Sequence, residues 1–120
     1  MGGRAGKIIR LYHGTCASSA QHLLAHGLDE VRAKHYNGGG EFWATPDPMI
    51  ADWFAHANPA SPPAARFEFD LPEDVLSQLL GHAPPAVLEH RTSYLAYEFK
   101  PRGFAIVNGL LSNPTVVPLP

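Results

Sequence analysis

The sequence has little with which to staple a fold and little with which to attract a polyanion. Its single cysteine, Cys16, excludes an internal disulfide framework, and one unpaired thiol suits a reducing compartment or no particular one. Charge is sparse: 17% of residues are charged, and 9 basic against 11 acidic side chains leave a formal −2. Recruitment of nucleic acid by bulk electrostatics is thereby excluded; capture by local contacts is not. No run of about 18 apolar residues occurs, so no helical membrane span is expected, and Met1–Lys7 has no apolar stretch of the secretory kind. The chain has no internal repeat, and Gly38-Gly39-Gly40 lacks the following Lys-Ser or Lys-Thr of a phosphate-binding loop.

What is present is enough apolar material for one core, delivered in short pieces. A chain of 120 residues, 45% of them hydrophobic, buries roughly two thirds of its unfolded surface. Residues 1–120 are therefore read as a single domain that needs no metal or disulfide. The 12 prolines and 11 glycines are scattered along the chain, which punctuates it into brief elements.

Ile8, Ile9, Leu11 and Tyr12 form an apolar run leading into His13-Gly14-Thr15, a strand feeding a loop. A helix over about 19–26 follows: Ser18 and Gln21 have capping-box spacing, Leu23 and Leu24 supply its buried stripe, and Gly27 closes it with Leu28 packing back. Residues 29–40 read as a loop, and Glu41-Phe42-Trp43-Ala44 as a short aromatic strand. Asp47-Pro48 is a helix start, and Ile50, Trp53, Phe54 and Ala57 mark one helical face ending at Asn58-Pro59.

A Pro-rich link over 59–64 precedes the alternating strand Arg66–Asp70. Asp70 and Glu73 then repeat the capping-box spacing ahead of a helix with Val75, Leu76, Leu79 and Leu80, ending at Gly81. Further strands are expected around 94–99, 104–107 and 115–118. The sum is an α+β chain with strands in both halves.

Three segments carry candidate chemistry. Leu11–Thr15 sets a His at the mouth of a strand, backed by a glycine that lets a ligand approach the backbone. Gly40–Thr45 is aromatic and precedes the helix with Trp53 and Phe54. Tyr97-Glu98-Phe99 places a carboxylate within an apolar strand. Taken singly, each has a plainer structural explanation: a hydrogen-bonded histidine, core aromatics and the solvent face of an edge strand.

In order and spacing, the three together resemble the ADP-ribosyltransferase fold of the diphtheria toxin and poly(ADP-ribose) polymerase branch, known by its His-Tyr-Glu signature. The resemblance spans nearly the whole chain. His13-Gly14-Thr15 matches the opening motif, Trp43 and Phe54 stand eleven positions apart as the family's two aromatics do, and Glu98 is the candidate closing carboxylate. It implies an α+β fold built on a split antiparallel β-sheet with short flanking helices. It further implies that NAD is the substrate, with His13 on the adenosine ribose, the Gly14 backbone on the nicotinamide carboxamide, and Thr15 beside them. Trp43 and Phe54 would sandwich the nicotinamide, and Glu98 would act on the neighbouring ribose, making Glu98 and His13 the catalytic pair.

Two features depart from the family pattern. Its first aromatic is usually Tyr; here Trp43 holds the place or, one register along, Phe42, and any role for a phenol passes to Tyr36 or Tyr97. Glu89 competes with Glu98, and Glu68 and Asp70 lie on another strand; Glu98 is preferred because Leu95, Ala96, Tyr97 and Phe99 embed it.

The resemblance implies a mono-ADP-ribosyltransferase, acting as a bacterial toxin or effector in a cytoplasm, its own or a target cell's. A macromolecular acceptor is implied as the second substrate, and an immunity or antitoxin protein as a partner. An NAD glycohydrolase, an RNA-directed transferase using Arg32, Arg91 and Arg102, and an inactive NAD-binding module share the fold. The chain begins almost on its first strand and ends at Pro118-Leu119-Pro120, as a stripped catalytic core would.

Two other constellations are weaker. His22 and His26 have the i, i+4 spacing of metal ligands but no intervening Glu and no third ligand, so no metal is expected and a solvated helix face is the better reading. Cys16, three residues after His13, invites a nucleophile reading, yet a buried small apolar residue is the commoner fate of a lone cysteine. Alkylation of Cys16 is therefore expected to leave turnover of NAD intact; loss of turnover in proportion to label incorporated would restore the thiol as nucleophile.

Overall fold

Alternation in the sequence builds the centre of the molecule. In the computed structural model, which describes residues 6–32, 42–57, 63–79, 86–87 and 93–120, strand β3 (Ala64–Pro72) buries Ala65, Phe67, Phe69 and Leu71 completely and turns Arg66, Glu68 and Asp70 the other way. It lies between β1 (Ile8–Cys16) and β7 (Ser112–Pro118) in a three-stranded antiparallel sheet. A second antiparallel pair joins β2 (Phe42–Ala44) to β6 (Tyr97–Phe99). A third joins β4 (Ala86–Val87) to β5 (Ser93–Tyr94). Helices α1 (Ala17–His26), α2 (Pro48–Ala57), α3 (Glu73–Leu79) and α4 (Phe104–Leu110) complete a mixed α/β arrangement with antiparallel sheets.

The core lies between the inner face of the large sheet and the small β2–β6 pair. Leu11, Phe67, Phe69 and Leu71 meet Phe42, Ala44 and Phe99 there, with Ala20 and Leu28 from the α1 region and Phe104 and Val107 from α4 closing the sides. Each fully buried phenylalanine contributes about 1.5–3 kcal/mol by leaving water. Gly27 ends α1 at φ +77° and ψ −163°, its N–H donating to the Leu23 carbonyl at 2.8 Å; the glycine closes the helix at positive φ as expected, but in an extended conformation in place of the left-handed helical one. Asn108 on α4 grips the exit, accepting from Leu28 N–H at 2.8 Å and donating to its carbonyl at 2.9 Å.

Several expectations need correcting. Helix α1 begins at Ala17, before the expected start, and Cys16 takes the N-cap position without a side-chain cap bond, so Ser18 caps nothing. Asp70 is not a cap either. It sits inside β3, held by Arg10 at 3.1 Å and by Asn113 at 2.9 Å, and the strand passes directly into α3. Residues 104–107 are helical, not extended: the 3-10 turn Pro101–Gly103 launches α4, and Phe104 and Val107, one turn apart, face the core.

Of the 29–40 loop, residues 30–32 form a helical turn, and the remainder from 33 lies outside the described residues. So do Gly38–Gly40, positions 59–62 of the Pro-rich link, Leu80 and Gly81.

The largest revision concerns α2. Its start is as expected, with Asp47 Oδ1 accepting from Met49 N–H at 2.9 Å, but Ala51 and Ala55 are its buried face, at 1% and 3% exposure, while Trp53 and Phe54 stand about 40% exposed. The small residues win because this helix touches the backbone of β1. A Cβ on Gly14 would overlap the Ala51 carbonyl and come within 2.8 Å of the Ala55 nitrogen. Replacing Gly14 by Ala is expected to cost about 1–3 kcal/mol or more, since neither backbone can yield cheaply; urea unfolding with a midpoint equal to the parent's would contradict this packing.

Candidate functional site

The site is assembled where β1 and the β2–β6 pair meet and then part. They are joined at one rung: Tyr12 N–H donates to the Thr45 carbonyl at 2.8 Å, and Thr45 N–H donates to the Tyr12 carbonyl at 2.9 Å. Because peptide groups alternate between the two edges of a strand, the N–H and C=O of Gly14 point to the same edge as those of Tyr12. The next rung would give Gly14 N–H to the Trp43 carbonyl. That carbonyl is taken by the imidazole of His13 instead, at 2.6 Å from Nδ1. The ring therefore marks the point at which the two sheets split.

This contact defines the chemistry of His13. A carbonyl only accepts, so Nδ1 carries the proton and Nε2 presents a lone pair. The ring stacks on Phe42 at 4.2 Å between centroids. Burial pushes its pKa down to about 4, against a smaller opposing effect from the Trp43 carbonyl. At neutral pH the imidazole is uncharged and offers Nε2 as an acceptor for a hydroxyl donor.

Strand alternation decides between the two neighbouring aromatics. Phe42 faces inward, 6% exposed, against Phe69 and Phe99, whereas Trp43 faces outward, 39% exposed. Directly opposite Trp43 in the antiparallel register is Glu98, so indole and carboxylate share one face, with Cβ atoms about 4.5–5.5 Å apart. Lys100, two residues on and on the same face, pairs with Glu98 Oε2 at 3.0 Å. Phe99, between them in alternation, turns to the core, and Tyr97 packs on that same side.

The other competing carboxylates are committed elsewhere. Glu68 accepts from Arg10 at 3.1 Å and Arg66 at 2.8 Å, and Asp70 is bound by Arg10 and Asn113, all on the outer face of the large sheet. Arg66 continues the chain of charges to Asp52 on α2 at 2.7 and 2.9 Å and lies over the Tyr12 ring, 5.6 Å from its centroid. The network fastens α2 across β3 while Gly14 admits it against β1. Phe54 on that helix stands edge-on to Trp53, 5.0 Å between centroids.

Of the residues singled out in the sequence, then, Trp43 and Glu98 are brought side by side, and His13 is tied to the Trp43 main chain. His13 itself lies on the inner side with Leu11 and Phe42; its link to the outward-facing pair runs through the strand edge. Thr15 follows on the same side of β1 as His13, half-buried. Gly14 is explained first by the helix packed on it, while its peptide groups still face the split. Glu89, Arg91 and Tyr36 lie outside the described residues; Arg102 is exposed and Arg32 half-buried.

Cys16 is buried, its sulfur 3.4 Å from the Ser18 and Ser19 hydroxyls. Burial raises its pKa, but hydrogen bonding with Ser18, Ser19 and Thr15 prevails and brings it down to about 7. His22 and His26 are neighbours at 4.8 Å, and Asp29 lies 3.4 Å from His22. Among the described residues no three His, Cys, Asp or Glu side chains converge as metal ligands, and no described helix is long and apolar enough to cross a membrane.

Sequence reasoning missed Thr45 and Lys100. Lys100 was readable, since a cation two positions from Glu98 on one strand shares its face; the hydroxyl of Thr45 gave no such signal. A scan of protein-family models and searches of curated proteins and of solved structures return no match to this chain.

The depressed pKa of His13 has a measurable consequence. In the unfolded chain a histidine binds its proton near pH 6.5, whereas in the folded protein it resists down to about 4. Between those values the unfolded state holds more protons, so this group makes the fold lose stability as pH falls from 6.5 to 4, with no further loss below. Replacing His13 by Gln keeps a donor for Trp43 and removes the titration. Urea unfolding at pH 7 and pH 4.5 should show the parent losing ground against this variant at the lower pH; an equal difference at both would mean the ring titrates normally.

Proposed function

We propose that the chain is an NAD-dependent mono-ADP-ribosyltransferase of the diphtheria toxin and poly(ADP-ribose) polymerase type, with the split antiparallel sheet of that fold. The observation that carries the reading is the direct pairing of Trp43 with Glu98, beside a strand split at which the neutral imidazole of His13 and the peptide edge of Gly14 are presented. An exposed indole next to a carboxylate suits a cationic aromatic ring joined to a sugar. Stacking on Trp43 holds the nicotinamide for about 0.5–2 kcal/mol, and Phe54 supplies a second aromatic surface. Nε2 of His13 accepts from a ribose hydroxyl, and the Gly14 N–H and C=O are complementary to a carboxamide.

The reaction follows from charge. When the bond between C1′ and the nicotinamide nitrogen breaks, its electron pair stays on the nitrogen, nicotinamide leaves neutral, and positive charge develops on the ribose. The Glu98 carboxylate stabilises that charge as it grows and binds the neighbouring hydroxyl. The acceptor then attacks C1′ and loses its proton. We assign the acceptor to a macromolecule, and the setting to a toxin or effector acting in a cytoplasm with a dedicated neutralising protein as partner.

Nicotinamide release from NAD, followed by chromatography, tests the assignment together with transfer of labelled ADP-ribose to a cell lysate. Glu98→Gln should lower release at least about a hundredfold with unchanged thermal unfolding, and Trp43→Ala should raise KM for NAD about 2- to 30-fold. Parental release by Glu98→Gln would refute the catalytic role. Binding of NAD without release would instead indicate a sensor module, and release without labelled acceptor a glycohydrolase.

A further inference from the structure

The three-rung ladder of β2 with β6 is too short to hold its own register. Phe42–Phe99, Trp43–Glu98 and Ala44–Tyr97 are its rungs, and a slip of one residue would turn Trp43 to the core and Phe42 to the outside. Just beyond the last rung sits Thr45, 4% exposed. Its hydroxyl donates to the Leu95 carbonyl at 2.8 Å and accepts from Asp47 N–H at 3.2 Å, while its main chain makes both bonds to Tyr12.

Four segments are thus joined at one buried residue, two of them through its hydroxyl. Tyr12 precedes His13, Thr45 itself ends the strand of Trp43, Leu95 leads into β6 with Glu98, and Asp47 caps the helix that bears Phe54. We infer that Thr45 is a positioning residue that pins the register of Trp43 against Glu98 and sets both relative to α2. It touches no substrate and acts through the carboxylate it places. A displacement of about 1 Å at a reacting group costs up to a hundredfold in rate, so a hydroxyl that fixes this register controls turnover more than binding.

The effect on turnover rests on the proposed NAD chemistry; the effect on register does not. Thr45→Val preserves shape and removes both hydroxyl bonds, Thr45→Ser keeps them, and Thr45→Ala removes them without crowding, serving in place of Val if that variant does not fold. Thr45→Val is expected to lower kcat for nicotinamide release at least about tenfold with KM for NAD changed less than about twofold, Thr45→Ser to restore most of kcat, and Thr45→Val to add little in a Glu98→Gln background. A parental kcat in Thr45→Val, a loss that Ser does not restore, or a loss that adds in full to Glu98→Gln overturns the role in catalysis.

Amide hydrogen exchange at residues 42–44 and 97–99 reads the register without NAD. It is expected to quicken about tenfold in Thr45→Val and to stay parental in Thr45→Ser. Unchanged exchange sinks the inference about Thr45 alone. Quickened exchange in a protein whose parent form releases no nicotinamide sinks the enzyme reading and leaves the register pin standing.

Discussion

The approach of α2 to the backbone of β1 at Gly14 is the constraint on which the rest depends. Helix and strand meet there main chain to main chain, because Gly14 has no Cβ and the helix presents Ala51 and Ala55. Once the small residues occupy the contact, the bulky ones on the same helix have nowhere to go but outward. Trp53 and Phe54 are exposed as a geometric consequence. The ion pairs from Arg66 to Asp52 and Glu68 then hold the helix in azimuth as well as in distance.

The same economy governs the split between the sheets. A continuous β1–β2 ladder would hide the Gly14 peptide groups and the Trp43 carbonyl in mutual bonds. His13 takes that carbonyl, so the ladder stops after one rung, with the imidazole on the inner side of the strands and the indole and carboxylate on the outer. Hydrogen bonding that ordinarily stabilises a sheet has here been diverted to a side chain. A neutral histidine also avoids leaving an unpaired cation among Phe42 and the core aromatics.

Much of the fold was legible in local pattern. The alternation of β3, the Asp47 cap of α2 and the Gly27 closure of α1 each rest on chemistry confined to a few adjacent residues, and each is present. The misreadings share one cause. Ser18 and Asp70 had the spacing of caps, but Asp70 found stronger partners in Arg10 and Asn113 from distant strands. Residues 104–107 looked extended because Ile106 and Val107 are β-branched, yet burial of Phe104 and Val107 on one helical face prevailed over propensity.

The candidate site divides along the same line. Local pattern was enough to put His13, Trp43, Phe54 and Glu98 on hand and to make Trp43 and Phe42 face opposite ways, since alternation is a property of a single strand. That Trp43 is the outward one, that Glu98 is its partner, and that Glu68 and Asp70 are bound up in ion pairs came from the assembled fold. Those outcomes depend on which strand lies beside which, and pairing between segments more than fifty residues apart is fixed by the packing of the whole core.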